Sequence, residues 1–183
     1  VGKYGKNVVP SKPEMRINLP EFNVNTQRFV FPSGLQVLLQ EDDSGPMVSV
    51  TTIVDVGSTA DPVGKEGIAH FVEHMWFNAR HGDMPRVQDI IFELGGSFNA
   101  STAADWTNYM TIAPKESLAA LIKLESLRIT DPILNIPELI VDVEREVIRN
   151  EYRFRYENGA MVALPYLWDK LYPEGHKYAR LGI

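Results

Sequence analysis

In the stretches 27–31 and 35–40 the apolar residues of this chain tend to recur at every second position, and in 64–78 they recur at every third or fourth. That change of period limits the fold more than any other feature, because side chains alternate across a strand but align at i, i+3 and i+4 on a helix. Residues 27–31 and 35–40 alternate on either side of Pro32-Ser-Gly34, a hairpin signature. Residues 47–56 are β-branched and apolar enough for a central strand. In 64–78, Ile68, Phe71, Val72, Met75 and Trp76 fall at helical spacing and predict a largely buried helix. A second helix is expected over 85–94, with a proline in its first turn and Gly95-Gly96 ending it. Residues 97–100 and 107–113 read as strands about a polar bend. Residues 115–129 form a helix with an apolar stripe of Leu118, Leu121, Ile122, Leu124 and Leu127. Pro137 opens a long helix to about Glu157, and 161–171 form one more. Strands lead and helices follow, so the pattern predicts an α+β fold, a mainly antiparallel sheet with helices packed on one face. Residues 1–20, polar and punctuated by Pro10, Pro13 and Pro20, read as an extended lead-in to one domain over 21–183.

Composition removes several classes of function. Eighteen Lys and Arg are scattered among 24 acids for a net charge of −6, which argues against nucleic acid as a partner. No apolar run reaches the roughly eighteen residues of a membrane span. Cysteine is absent, which excludes disulfides, thiolate nucleophiles and Cys-based zinc sites. The compartment stays open, with the bacterial periplasm or another extracytoplasmic setting preferred to the cytoplasm.

The chemistry centres on His70-Phe-Val-Glu-His74. Two histidines four apart project from one face of a helix, one turn apart, within reach of a single metal ion. Neutral imidazoles suit zinc, and Glu73 is close enough in angle to take a proton from metal-bound water. With the Glu beside the second His, the order of the zincin motif is inverted. The bland alternative is a pair of surface histidines, but the apolar residues around them bury the helix, and a charged Glu there needs a partner.

A catalytic zinc takes three protein ligands and leaves one position open. Without cysteine the third must be a histidine or a carboxylate. His81 and His176 are possible, but one follows a helix end and the other sits in a turn. Glu144 and Glu151 stand two helical turns apart on one face, with Val147 and Ile148 between them turning it inward. The alternative for these acids is a solvated charge run with Arg145, Arg149 or Arg153. Beside a histidine pair that lacks a third ligand, an inward carboxylate is the better reading. A closed structural zinc site would need a fourth ligand, and none presents itself.

Val54-Asp-Val-Gly-Ser58, Gly67-Ile-Ala-His70, Phe71-Val-Glu-His-Met75 and Gly95-Gly-Ser-Phe-Asn-Ala100, in this order, resemble the signature of the pitrilysin-type zinc metallopeptidases (peptidase family M16). The similarity runs from about Asn25 to Tyr178. It implies the metallohydrolase fold of pitrilysin and the mitochondrial processing peptidases, and a zinc endopeptidase domain acting on unstructured peptides. By motif, His70, His74 and Glu151 would bind one Zn²⁺ per chain and Glu73 would be the general base. Glu144 would orient a ligand histidine. Asn99 and Ala100 would lie on a strand edge where the peptide substrate adds. Members of the family pair this domain with a second, homologous one, so the resemblance implies that 21–183 is the incomplete first half and that a partner domain or subunit lies outside it. Residues 78–84 depart from the family pattern in lacking its Gly-Thr turn. The alternative within the family is a non-catalytic scaffold or binding domain that needs a partner domain for activity.

Overall fold

A computed structural model of the chain describes residues 16–19, 22–130, 136–156 and 162–180. It divides into two compact units, Val1–Pro46 and Met47–Ile183. In the smaller unit, strands β1 (Arg16–Leu19), β2 (Phe22–Val30) and β3 (Gln36–Gln40) form an antiparallel sheet in that order. The expected hairpin is there, with Val30 opposite Gln36 and Thr26 opposite Gln40. The end of the stretch read as a lead-in is thus a paired strand, while 1–15 lie outside the described residues.

The larger unit is built on strands β4 (Met47–Val54), β5 (Ser97–Thr102) and β6 (Thr107–Pro114), antiparallel in the order β4-β6-β5. Four helices of this unit follow the predicted segments closely. They are α1 (Ile68–Asn78), α2 (Val87–Glu93), α3 (Leu118–Thr130) and α4 (Glu138–Tyr156). A fifth, α5 (Ala163–Leu171), precedes a short 3-10 turn at Lys177–Arg180; Met161 lies outside the described residues.

Residues 47–56 read as a central strand, but among the described residues β4 is at the edge of its sheet and β6 takes the middle. The reason lies in β6, whose Thr107, Tyr109, Thr111 and Ala113 are all buried in alternation. Small and polar side chains hide that burial from a reading of apolarity. Their cross-strand partners Val50 and Thr52 on β4, and Phe98 and Ala100 on β5, share the covered face. Helices α1, α2 and α3 pack on this sheet, and Trp76, Phe77, Val87, Ile91, Tyr109 and Leu124 form the core between. Phe77 stacks on Phe98 at 4.1 Å between centroids.

Gly57 explains part of the Val-Gly-Ser segment. A Cβ there would stand 2.3 Å from the carbonyl oxygen of Ala103, so only glycine lets the chain pass the β5–β6 turn and donate from Ser58 and Thr59 to Ala103 and Ala104.

Helix α3 buries part of the expected apolar stripe, with Leu127 packed on the core, and two charged residues beside it. Leu118 and Ile122 are 41% and 54% exposed, while Leu121 and Leu124 are buried together with Glu125 and Arg128. The charges go inside because they are satisfied there. Arg128 donates from Nε and Nη2 to the Glu125 carboxylate at 2.8 and 2.9 Å, and Thr52 Oγ1 adds a third bond at 2.6 Å. The guanidinium also lies over the rings of Tyr109 and Trp76, 3.7 and 4.1 Å from their centroids. Breaking such a pair from one side strands a buried charge. Arg128→Ala is therefore expected to lower the unfolding free energy by about 3–5 kcal/mol, and a Glu125→Leu, Arg128→Met double variant by clearly less. Urea denaturation of the three proteins tests this, and a loss below about 1 kcal/mol for Arg128→Ala would contradict it.

Candidate metal centre

Helix α1 presents two faces. Met75, Trp76 and Phe77 are buried, as are His70 and Glu73, whereas Ile68 and Val72 of the expected apolar set are exposed. The helix begins at Gly67, whose φ of 100° is left-handed and suits glycine. No side chain of the first turn caps it. Asp61, only 3% exposed, does so from outside. Its Oδ2 accepts the Gly67 N–H at 2.7 Å and its Oδ1 the Ala69 N–H at 2.8 Å. The carboxylate satisfies two orphan donors and opposes the positive end of the helix dipole. Arg180 donates to the Asp61 carbonyl at 2.7 Å and so fixes the cap from the far end of the unit.

His70 and His74 then face one point, their Nε2 atoms 3.2 Å apart. Across from them α4 brings Glu151, with carboxylate oxygens 3.5 Å from His70 Nε2 and 3.7 Å from His74 Nε2. Among the described residues these three are the group whose donor atoms converge for a metal, all within 4.8 Å of one another. Tetrahedral zinc with N and O ligands at its usual bond lengths sets donors roughly 3.3–3.6 Å apart, so the spacing found here fits that ion.

The protonation states suit it as well. Glu144 Oε2 stands 2.9 Å from His74 Nδ1. An ionised carboxylate only accepts, so His74 donates from Nδ1 and keeps its lone pair on Nε2. Asn78 donates to the other oxygen of Glu144 at 3.0 Å and to the His74 carbonyl at 3.2 Å, tying the acid to α1. Burial, with smaller contributions from His74 and Arg155, lowers the His70 pKa to about 4, so His70 is neutral at pH 7. Its Nδ1 is buried without a hydrogen-bond partner among the described residues.

Glu73 is buried beside the pair, and its Oε2 accepts from Thr102 Oγ1 at 2.5 Å. Burial raises the Glu73 pKa above the usual carboxylate value, partly countered by the Thr102 bond and His74. His70, Glu73, His74, Glu144 and Glu151 line one cavity of about 460 Å³ together with β5 and Arg155.

The arginines that could have neutralised the acids as a solvated run pair elsewhere: Arg145 with Asp142, Arg149 with Glu146, and Arg153 with Asn150. Of the two residues expected between Glu144 and Glu151 on the inward face, Ile148 is buried but Val147 is 39% exposed. His81 packs against the Trp76 ring and His176 against Tyr172, away from the converging group. Asn99 and Ala100 are on β5, an edge strand of this sheet among the described residues. The Asn99 side chain is exposed and its Oδ1 accepts the Ala100 N–H at 2.9 Å, while Ala100 itself packs on the core. Thr102, Asn78 and Asp61 were not singled out from sequence. Asn78 alone left a signal, one turn beyond His74 on the same face.

An inverted His-x-x-Glu-His helix and an acid-bearing second helix thus stand over an antiparallel sheet, and the comparisons with known proteins agree with that arrangement. The chain belongs to the insulinase family of peptidases, family M16, whose family model matches residues 36–172. It is similar to the zinc protease PqqE of Helicobacter pylori, 34% identical over 157 residues, which cover 76% of this chain and 34% of that protein. It also resembles insulin-degrading enzyme-like 2 of Arabidopsis thaliana, 41% identical over 85 residues, 45% of this chain and 9% of the relative. In fold it matches the crystal structure of pitrilysin with a TM-score of 0.76 at 22% identity, over 92% of this chain and 18% of that one. The chain thus spans about a tenth to a third of the length of these two relatives.

Because Glu144 holds His74 without being one of the three converging donors, Glu144→Gln is expected to weaken zinc binding ~10–100-fold. Glu151→Gln should weaken it further, and Glu73→Gln should leave it nearly unchanged. Competition against a zinc-binding dye measures all three, and equal affinities for wild type and Glu144→Gln would reduce Glu144 to a solvated charge.

Proposed function

We propose that this chain carries the zinc-binding catalytic half-site of an endopeptidase that hydrolyses unstructured peptides. The observation that carries the proposal is the convergence of His70, His74 and Glu151 on one point, beside a buried Glu73 held by Thr102. His70, His74 and Glu151 would hold the ion, and Glu144 would fix the tautomer of His74. Zinc, when bound, polarises a carbonyl and makes water acidic enough to attack near neutral pH.

The protein's part is proton transfer and positioning. Thr102 engages one oxygen of Glu73 and leaves the other to take a proton from the attacking water. Burial strengthens Glu73 as a base, and the same carboxyl then protonates the leaving amine. The peptide backbone would add to the outer edge of β5 near Asn99 and Ala100, where a main-chain ladder accepts any sequence but only an unfolded one. The Asn99 side chain, which holds the Ala100 N–H, would have to swing aside for such a strand. A purely scaffolding role is disfavoured because donors, base and their supports are all present.

A second domain closing over the cavity would orient substrate and exclude water, as the family resemblance implies. Orientation can contribute ~7–11 kcal/mol of barrier lowering. The full-length protein with zinc is expected to cleave a quenched, unstructured peptide far faster than residues 1–183 alone at equal zinc occupancy. Glu73→Gln in the full-length protein should lower turnover ~10²–10⁴-fold while its zinc is retained. Turnover that survives both chelation and Glu73→Gln would refute the assignment, and equal rates for segment and full-length protein would refute the need for a second domain.

A further inference from the structure

Helix α4 carries four arginines, and three of them close on the helix itself. Arg145 bonds Asp142 and Arg149 bonds Glu146, each at 2.9 Å, and Arg153 bonds Asn150 at 3.1 Å. Arg155 differs. It makes no ion pair or hydrogen bond among the described residues, and it stands one turn beyond Glu151 on the wall of the catalytic cavity. A second depression of about 410 Å³ is lined by Val147, Asn150, Glu151, Phe154 and Arg155. Glu151 and Arg155 are the residues the two hollows share, so Arg155 stands where one passes into the other.

The charges around it point to a ligand. Three carboxylates line the cavity, those of Glu73, Glu144 and Glu151, and Arg155 is the one cationic side chain that lines it among the described residues. With the zinc's charge taken up by its own ligands and the attacking water, the guanidinium is the remaining side chain of the lining that attracts an anionic group, and its planar fork of donors matches a carboxylate. The exposed rings and methyls of Phe154 and Val147 offer a surface for the methylenes that carry such a carboxylate.

We propose that Arg155 is a specificity-determining residue that receives the carboxylate of an acidic side chain close to the scissile bond of the peptide, at the junction of the two hollows. The inference rests on the peptidase reading above and adds a preference to it. The Arg155 charge already reaches the reacting groups: after burial and His74 it is the third influence holding the His70 pKa down, and it also opposes the rise at Glu73.

The test uses the zinc-loaded full-length protein and matched quenched peptides that differ only by Glu, Gln or Lys at each position flanking the cleavage point. At one position the wild type is expected to prefer Glu over Gln by about two- to fivefold in KM, the strength of an exposed ion pair. Arg155→Gln should abolish that preference, Arg155→Lys should keep part of it, and Arg155→Glu should turn it toward Lys. Zinc content by mass spectrometry should be the same in all four proteins, which separates a lost contact from a damaged centre. Binding of the Glu and Gln peptides to the Glu73→Gln protein, followed by fluorescence anisotropy, supplies a readout independent of turnover and should show the same preference, weakening with salt. Cleavage with no preference for Glu at any position, or a preference that survives Arg155→Gln, overturns the role of Arg155 and leaves the peptidase reading standing. An equal loss of turnover for all peptides with the preference intact overturns it too. If no peptide is bound or cleaved, both fail together.

Discussion

Helix α1 has to carry two imidazoles and a carboxylate into a poorly solvated hollow while its opposite side packs against aromatic rings. A helix can do this only if each polar group meets a partner, since an unpartnered buried charge is expensive. The partners come from every neighbouring element. Thr102 on β5 takes Glu73, Glu144 on α4 takes His74, and Asp61 takes the free N–H groups where the helix begins. Asn78 closes the circuit by holding Glu144 to the end of the same helix. The polar supports therefore fix where α1 sits as firmly as its apolar contacts do.

A second buried polar unit lies behind the first. Arg128 and Glu125 sit under the Trp76 and Tyr109 rings, with Thr52 of β4 bonded to the same carboxylate. The pair joins α3, the sheet and the back of α1 in one network. The Tyr109 and Trp76 rings cover the guanidinium, whose Nη1 is buried with no hydrogen-bond partner among the described residues. A core built this way resists sliding, because a shifted helix would separate charges as well as rings.

Features that depend on neighbours in sequence were legible, and features that depend on neighbours in space were not. His70, Glu73 and His74 declare themselves through a spacing of three and four on one helix. Glu144 and Glu151 do so through two turns on another, helped by the search for a third donor. The hairpins and helix limits follow from period and from glycine and proline. By contrast, β4 looked central because its residues are apolar, yet the middle of the sheet is β6, whose threonines and tyrosine are buried by the helices above them. The apolar stripe of α3 is right for Leu121, Leu124 and Leu127 but misses Glu125 and Arg128, which are inside because Thr52, some seventy residues away, completes their bonding. Thr102 and Asp61 are ordinary residues until the fold brings them to α1, and no local pattern marks them.

The order in which these groups stand along the chain has a consequence for how the protein is made. The histidines leave the ribosome well before Glu144 and Glu151, and Arg180, which steadies the Asp61 cap, comes last. At ordinary rates of synthesis Glu151 emerges about 4–15 s after His74. During that interval α1 has its imidazoles but neither acid, and its Glu73 has Thr102 only once β5 has formed. The centre is thus complete only once α4 has been made, and a pause in translation ahead of α4 would leave a helix bearing two histidines with neither acid yet opposite them.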